Sequence, residues 1–307
     1  MLKGVFPMLP TPFDGNKDII FDDISSLIEN QIQMGAHGIS ILGLGGESGL
    51  LTYDERIAVT EFTIKKAAGR LPIISGVGAA TTEDTCKLAS HAASKGISAI
   101  MLAPRPIKDQ TQEDLQIYFT EVSNAARGVD VMIQDAPEYL GVDLNTDFLG
   151  MLSDQIDNIA YIKSERPPVS NTIYSLKQIF DKRGIGIFGG QAAVGFFELL
   201  ESGGAGTIPG CEATLILVRI WEEYMLKNDK NKAMEIFHKV LPFFVFEMQS
   251  LDMFIKCTKN ILVQKNLITS DITRNDFKLS PTAQMILNRH ISQLLETEKT
   301  YKGVTKC

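Results

Sequence analysis

The chain has 307 residues, of which 44% are hydrophobic and 22% charged, with 25 Gly and 12 Pro, a globular balance that excludes a disordered or fibrous protein. That length leaves two domains, or one large barrel with an appendage, as the choices. Thirty Lys and Arg against 37 Asp and Glu give a net charge of −7, and the basic residues form no cluster that could track a phosphate backbone, so nucleic acid is excluded as a partner.

The longest stretch free of Asp, Glu, Lys and Arg, Asn30 to Gly46, carries amides, His37 and five glycines, which excludes a membrane span. The first residues meet Pro7 and Pro10 without an apolar signal region, so a cytoplasmic location is expected. Cys86, Cys211, Cys257 and Cys307 are scattered without a C-x-x-C spacing, and are expected to be three reduced packing residues and one tail thiol. His37, His91, His238 and His290 show no ligand spacing either. No metal is expected.

Taken in chain order, short β-rich runs alternate with helical periodicity, the pattern of βα units. The strand candidates are Gly4 to Met8, Gly38 to Leu42, Ile73 to Gly76, Ala99 to Leu102, Asp130 to Gln134, Ile159 to Lys163, Gly186 to Phe188 and Ala205 to Ile208. Thr52-Tyr53-Asp54-Glu55 reads as a capping box, with Thr81 to Asp84 and Thr111 to Asp114 as close variants. Gly35, Gly96 and Gly184 sit where helices should end. Eight such units favour a closed α/β (β/α)8 TIM barrel over residues 1–226 rather than an open sheet. Residues 227–307 then read as a C-terminal helical appendage, with helices over Asn231 to Glu247, Asp252 to Val263 and Ser280 to Glu296. Its apolar run Leu241 to Phe246 is either helix packing or an oligomer interface.

In such barrels the chemistry collects where strands end. The second strand runs into Gly43-Leu44-Gly45-Gly46-Glu47, a turn whose backbone N–H groups could receive an anion, or which is simply a tight turn. The sixth ends Tyr161-Ile162-Lys163-Ser164-Glu165, and period-2 alternation sets Tyr161, Lys163 and Glu165 on one face. A lysine in apolar surroundings gives up charge more readily, and a neutral amine can attack a carbonyl to form a Schiff base. The plain alternative is a structural ion pair between Lys163 and Glu165 at the rim.

Gly43 to Glu47 followed by Leu51 to Arg56, then Pro72 to Gly78, Ile162-Lys163 and Gly203 to Pro209, in that order and with Thr11-Pro12-Phe13 near the start, resemble the dihydrodipicolinate synthase and N-acetylneuraminate lyase family over nearly the whole chain. The resemblance implies a barrel lyase in which Lys163 forms an imine with a 2-oxo acid, with no metal or organic cofactor, in a homo-oligomer, commonly a tetramer. Two departures stand out. The family's turn hydroxyls are replaced by Leu44 and Gly45, and its relay phenols by Gln134, in Gln134-Asp135-Ala136-Pro137, and by Pro106. A glutamine does not exchange protons near neutral pH, so efficient dihydrodipicolinate synthesis is not expected. Gln134 to Pro137 and Lys163-Ser164-Glu165 instead resemble the subgroup that acts on 2-keto-3-deoxy sugar acids, such as 2-keto-3-deoxyarabonate dehydratase.

The candidate catalytic residues are therefore Lys163, Glu165, Gln134 and Tyr161, with Glu165 as proton acceptor and donor. The candidate substrate contacts are Gly43, Leu44, Gly45, Gly46, Glu47, Asp135, Gly190 and Ile208, and Arg105 is either a contact for a distal substrate anion or a solvated loop residue. Two other classes stay open. A barrel without its relay phenols could be a non-catalytic 2-oxo acid binding protein, against which Lys163 argues. A phosphate-binding barrel is disfavoured by the donorless Pro209 and the negative Glu212 after the eighth strand.

Overall fold

The structure is a computed structural model that describes residues 1–301 except 106, 108 and 109. Eight parallel strands form the sheet: β1 (Gly4–Val5), β2 (Ile39–Ile41), β3 (Ile73–Gly76), β4 (Ala99–Leu102), β5 (Asp130–Asp135), β6 (Ile159–Ser164), β7 (Gly186–Gly189) and β8 (Gly206–Thr207). From β2 to β8 each strand pairs with its sequence neighbour, and β1 pairs with β8. Met8, just past β1, completes the ring by bridging to both Ser40 and Gly210. The strands are joined by α1 (Phe21–Gln33), α2 (Tyr53–Ala67), α3 (Thr82–Ser94), α4 (Gln112–Ala125), α5 (Pro137–Leu140), α6 (Thr146–Gln155), α7 (Val169–Phe180) and α8 (Phe196–Glu201), and α9 (Thr214–Trp221) follows β8. This is a TIM barrel. Expected strand 1 is longer than observed because Pro7 offers no N–H to a ladder; the chain beyond Val5 stays alongside through single contacts such as Leu9 N–H to Ser40 O at 2.8 Å.

Local signals explain the helix starts. Thr52 and Thr111 each accept from the amide three residues on while Glu55 and Asp114 accept from the cap's own N–H. Thr81 caps α3 by accepting from Asp84 N–H at 3.0 Å. Gly35, Gly96 and Gly184 all adopt positive φ at helix ends, where a Cβ is unfavourable.

After a π-helical turn over Glu222–Leu226 the chain turns purely helical, with α10 (Lys230–Glu247), α11 (Leu251–Gln264) and α12 (Pro281–Tyr301). Phe237, Val240, Phe243, Phe244 and Leu287 lie in the same buried cluster as barrel residues such as Ile216 and Leu217. Within the apolar run of α10, Phe243 and Phe244 are buried and Val245 is exposed, so its phenylalanine pair serves packing inside the chain. A second cluster fills the barrel itself, from Phe6, Met8, Ile74, Met101, Met132, Tyr161, Phe188 and Ile208. Cys211 and Cys257 are buried and Cys86 half-buried, all free, and Cys307 lies outside the described residues. No described helix is long and apolar enough to cross a membrane.

Candidate active site

The site is built where β5 and β6 run side by side. Their register sets Gln134 opposite Lys163 and Asp135 opposite Ser164. Pairing continues one residue past β6, since Glu165 N–H donates to Asp135 O at 2.8 Å. The alternation is therefore unbroken through Glu165, and Gln134, Lys163 and Glu165 share the interior face while Asp135 faces outward.

Lys163 Nζ lies 3.2 Å from Glu165 Oε1, and both side chains are only 7% exposed. The ion pair that stood as the alternative is therefore present, and it is buried. The carboxylate is held from three sides: Gln134 Nε2 donates to Oε2 at 2.6 Å, and Gln191 N–H donates to Oε1 at 3.1 Å, beside the Lys163 contact. Gln191 Nε2 also donates to Glu165 O at 3.0 Å. A Cβ at Gly190 would stand 2.1 Å from Glu165 Oε1, so the carboxylate occupies the space that the missing side chain leaves.

The loop after β7 that supplies these contacts is strained. Gln191, Ala192 and Ala193 carry φ of 51°, 48° and 69°, left-handed values that cost L residues of order 1–3 kcal/mol each and persist only where the surroundings impose them. Here the two hydrogen bonds from Gln191 to Glu165 are part of what imposes them.

Lys163 and Glu165 open into a cleft at the C-terminal end of the strands, walled by Leu44, Gly45, Tyr139, Gln191, Ile208 and residues such as Phe254 from α11. Leu44 to Gly46 form one 3₁₀ turn, whose amides at Gly46 and Glu47 bond back to Gly43 O and Leu44 O. The amides of Leu44 and Gly45, as the first two of the turn, have no helical acceptor.

Tyr139, on the short α5, brings a phenol into this cavity. Burial, and after it the negative charges of Glu165 and Glu138, push that phenol up to about 12, so it stays protonated and can donate. Neither Tyr139 nor Gln191 was among the sequence candidates. Both sit on loops beyond strand ends, where alternation gives no direction; a phenol five residues after Gln134 was the available signal.

Several sequence candidates lie elsewhere. Tyr161 shares the interior face of β6, but its hydroxyl accepts from Leu2 N–H at 2.6 Å at the opposite, N-terminal end of the barrel, and its ring meets Phe188 edge-on. It is a core residue, because alternation sets the face of a strand and not the end of the barrel. Asp135 is corrected as a substrate contact: both its oxygens take Arg166, at 2.8 and 3.0 Å, and Arg166 reaches on to Asp143. Burial raises the Asp135 carboxyl against the pull of that guanidinium. Glu47 is corrected likewise, since its carboxylate is buried against Lys259 of α11 and accepts Arg274 N–H at 2.7 Å. Gly46 O accepts from Thr11 Oγ1 at 2.7 Å, which ties the turn down. Gly190 acts on Glu165 rather than lining the cavity. Pro106 lies outside the described residues.

Among the described residues no group of three or more His, Cys, Asp and Glu side chains could hold a metal ion. The model of the dihydrodipicolinate synthetase family matches residues 1–287. The chain belongs to that family. Among its relatives, the 4-hydroxy-tetrahydrodipicolinate synthase of Hydrogenobaculum sp. is 28% identical over 302 residues, 98% of this chain and 99% of that one. The enzyme of the same name from Thermus thermophilus is 34% identical over 164 residues, 53% of this chain and 54% of its own. Dihydrodipicolinate synthase from Rhodopseudomonas palustris superimposes with a TM-score of 0.87 at 25% identity, covering 95% of this chain and 97% of that one. The sialic acid aldolase of Ruminococcus gnavus shares the fold at a TM-score of 0.89 and 21% identity, over 98% and 99% of the two chains. As a member of the dihydrodipicolinate synthetase family the protein is an enzyme, a lyase.

Proposed function

We propose that this family member forms an imine between Lys163 and the C2 ketone of a 2-oxo acid, and that it dehydrates or cleaves a 2-keto-3-deoxy sugar acid. The observation that carries the reading is the buried carboxylate 3.2 Å from the lysine amine. Glu165 takes the ammonium proton, the free amine adds to C2, and loss of water leaves an iminium whose carboxylate rests against the Leu44 and Gly45 amides. The iminium is an electron sink. Removal of a C3 proton by Glu165 gives the enamine, and departure of the C4 hydroxyl as water, protonated by Glu165 or Tyr139, gives dehydration. Alternatively the C4 hydroxyl loses its proton, the C3–C4 bond breaks, and its electrons form the enamine of pyruvate with release of an aldehyde.

The sugar-acid subgroup is favoured because Gln134 holds Glu165 instead of supplying the phenol of a synthase relay. A homo-oligomer, by analogy with the resemblance above, and the cytoplasmic location expected from the sequence complete the reading. Borohydride reduction in the presence of pyruvate tests it. A reduced pyruvyl adduct is expected on the peptide containing Lys163 and is expected to vanish in Lys163→Ala. An adduct on another lysine, or none, overturns the assignment.

A further inference from the structure

Beside the Lys163 cleft lies a second, more roomy cavity that is open to solvent, and the two share Leu44 as a wall. Gln134, whose amide holds Glu165, lines the second cavity. This second space adjoins the first at Leu44, on the side where Gln134 stands.

The charge of that space is one-sided. Among the described residues that line it, the ionisable side chains are Arg56 and Arg105, and no carboxylate is present. Neither arginine makes an ion pair with a described residue. Arg56 spends its guanidinium on neutral carbonyls, with Nε to Ser48 O at 2.9 Å and Nη1 to Gly78 O. Arg105 donates to Ala80 O at 2.9 Å and to Thr82 Oγ1 at 2.7 Å, with its guanidinium carbon 5.0 Å from the centre of the Tyr118 ring. A guanidinium has five N–H donors, so Arg105 keeps others uncommitted, and Nε has no acceptor among the described residues. The opposite wall is small, from Gly76, Gly78, Ala79 and Ala80. In a protein of net charge −7, a cavity whose described lining carries two arginines and no carboxylate attracts anions against the overall field.

We propose that this second cavity receives the far end of the substrate and that this end is anionic, so that the substrate is a 2-oxo acid with a second acidic group, a carboxylate or a phosphate, paired with Arg105. The inference rests on the imine reading for the near end of the molecule, but not for its own test. Adipate has two carboxylates and no ketone, and hexanoate is its singly charged counterpart. Calorimetric titration compares the two without any imine. Adipate is expected to bind about 10-fold to 100-fold more tightly, the range for one charge-assisted hydrogen-bonded contact.

In Arg105→Met that ratio should fall to about one, and Arg105→Lys should restore part of it. The same ratio is then read for borohydride trapping of 2-oxoadipate against 2-oxohexanoate, with pyruvate trapping on each variant as the check that the near site is intact. 2-Keto-3-deoxy-6-phosphogluconate against its unphosphorylated parent distinguishes a phosphate end from a carboxylate end, according to which pair shows the larger ratio. Equal binding of adipate and hexanoate, or a preference that survives Arg105→Met, overturns the proposal. Absence of any trapping with a preserved adipate preference overturns the imine alone.

Discussion

Glu165 is an acceptor for Gln134, Gln191 and Lys163 at once, so its carboxylate is oriented before any substrate arrives, and orientation of this kind lowers the cost of reaching a reactive geometry. Changing Glu165→Gln keeps the shape and removes the capacity to take a proton. Turnover of a 2-keto-3-deoxy sugar acid is expected to fall by about 100-fold to 10,000-fold, the usual value of general acid or base catalysis, while pyruvate trapping at Lys163 persists. Unchanged turnover would move the proton transfer to Tyr139. The shared face of Lys163 and Glu165 was legible from a period of two, whereas Gln134 entered only through the family resemblance and is set beside them by the pairing of β5 with β6. Asp135 was readable by the same rule, as the outward neighbour of Gln134, yet its carboxylate attracted a functional assignment. Glu47 was not readable, because the lysine that neutralises it is 212 positions away and only the folded chain brings the two together.

At the scale of elements, the glycine turn after β2 is fastened to α11 by the Glu47–Lys259 pair, with side chains 2% and 0% exposed. Lys259 also donates to Ile272 O at 2.8 Å and sits over the Phe13 ring at 4.3 Å. Burial, only partly offset by the Glu47 charge, lowers the ammonium to about 8. Removing one partner of a buried pair strands the other charge, which costs about 3–5 kcal/mol, whereas replacing both by apolar groups can be nearly neutral. Lys259→Met is therefore expected to lose about that much stability in urea unfolding, and the double variant Lys259→Met, Glu47→Leu to regain most of it; equal losses in the two would deny the pairing. Most strands and helices were visible as elements in the sequence, through periodicity and caps. The end of β1 was not, since Pro7 interrupts a ladder that hydrophobicity alone would extend.

For the whole molecule, the joint between the barrel and its helical tail contains a buried pair of acids. Glu247 at the end of α10 is fully buried, and neither of its oxygens has a donor among the described residues. Burial, followed by the nearby negative charge of Glu212, raises its carboxyl well above the ordinary 4.5, and Glu212 is raised by burial too, against the pull of Lys265 and Thr258. The folded state thus keeps protons that the unfolded chain releases above about pH 4.5. That contribution is complete below the unfolded value and is lost as pH rises toward the folded one. Glu247→Gln, which stays neutral throughout, is expected to gain Tm relative to the parent as pH is raised from about 5 to about 8.5. Parallel Tm curves for the two proteins would show that Glu247 is ionised in the fold.

The loop after β7 also has a bearing on mutational tolerance. Four adjacent positions are constrained there by separate demands: Gly190 by the carboxylate in its Cβ space, Gln191 by its bonds on both the amide and the side chain, and Ala192 and Ala193 by left-handed backbone. Glycine relieves the last two and is forced at the first, but at Gln191 it would also delete the side-chain hold on Glu165. Sequence drift in this loop therefore has open routes only at its third and fourth positions, toward glycine or asparagine, and the loop's variability is decoupled from its place outside the regular elements.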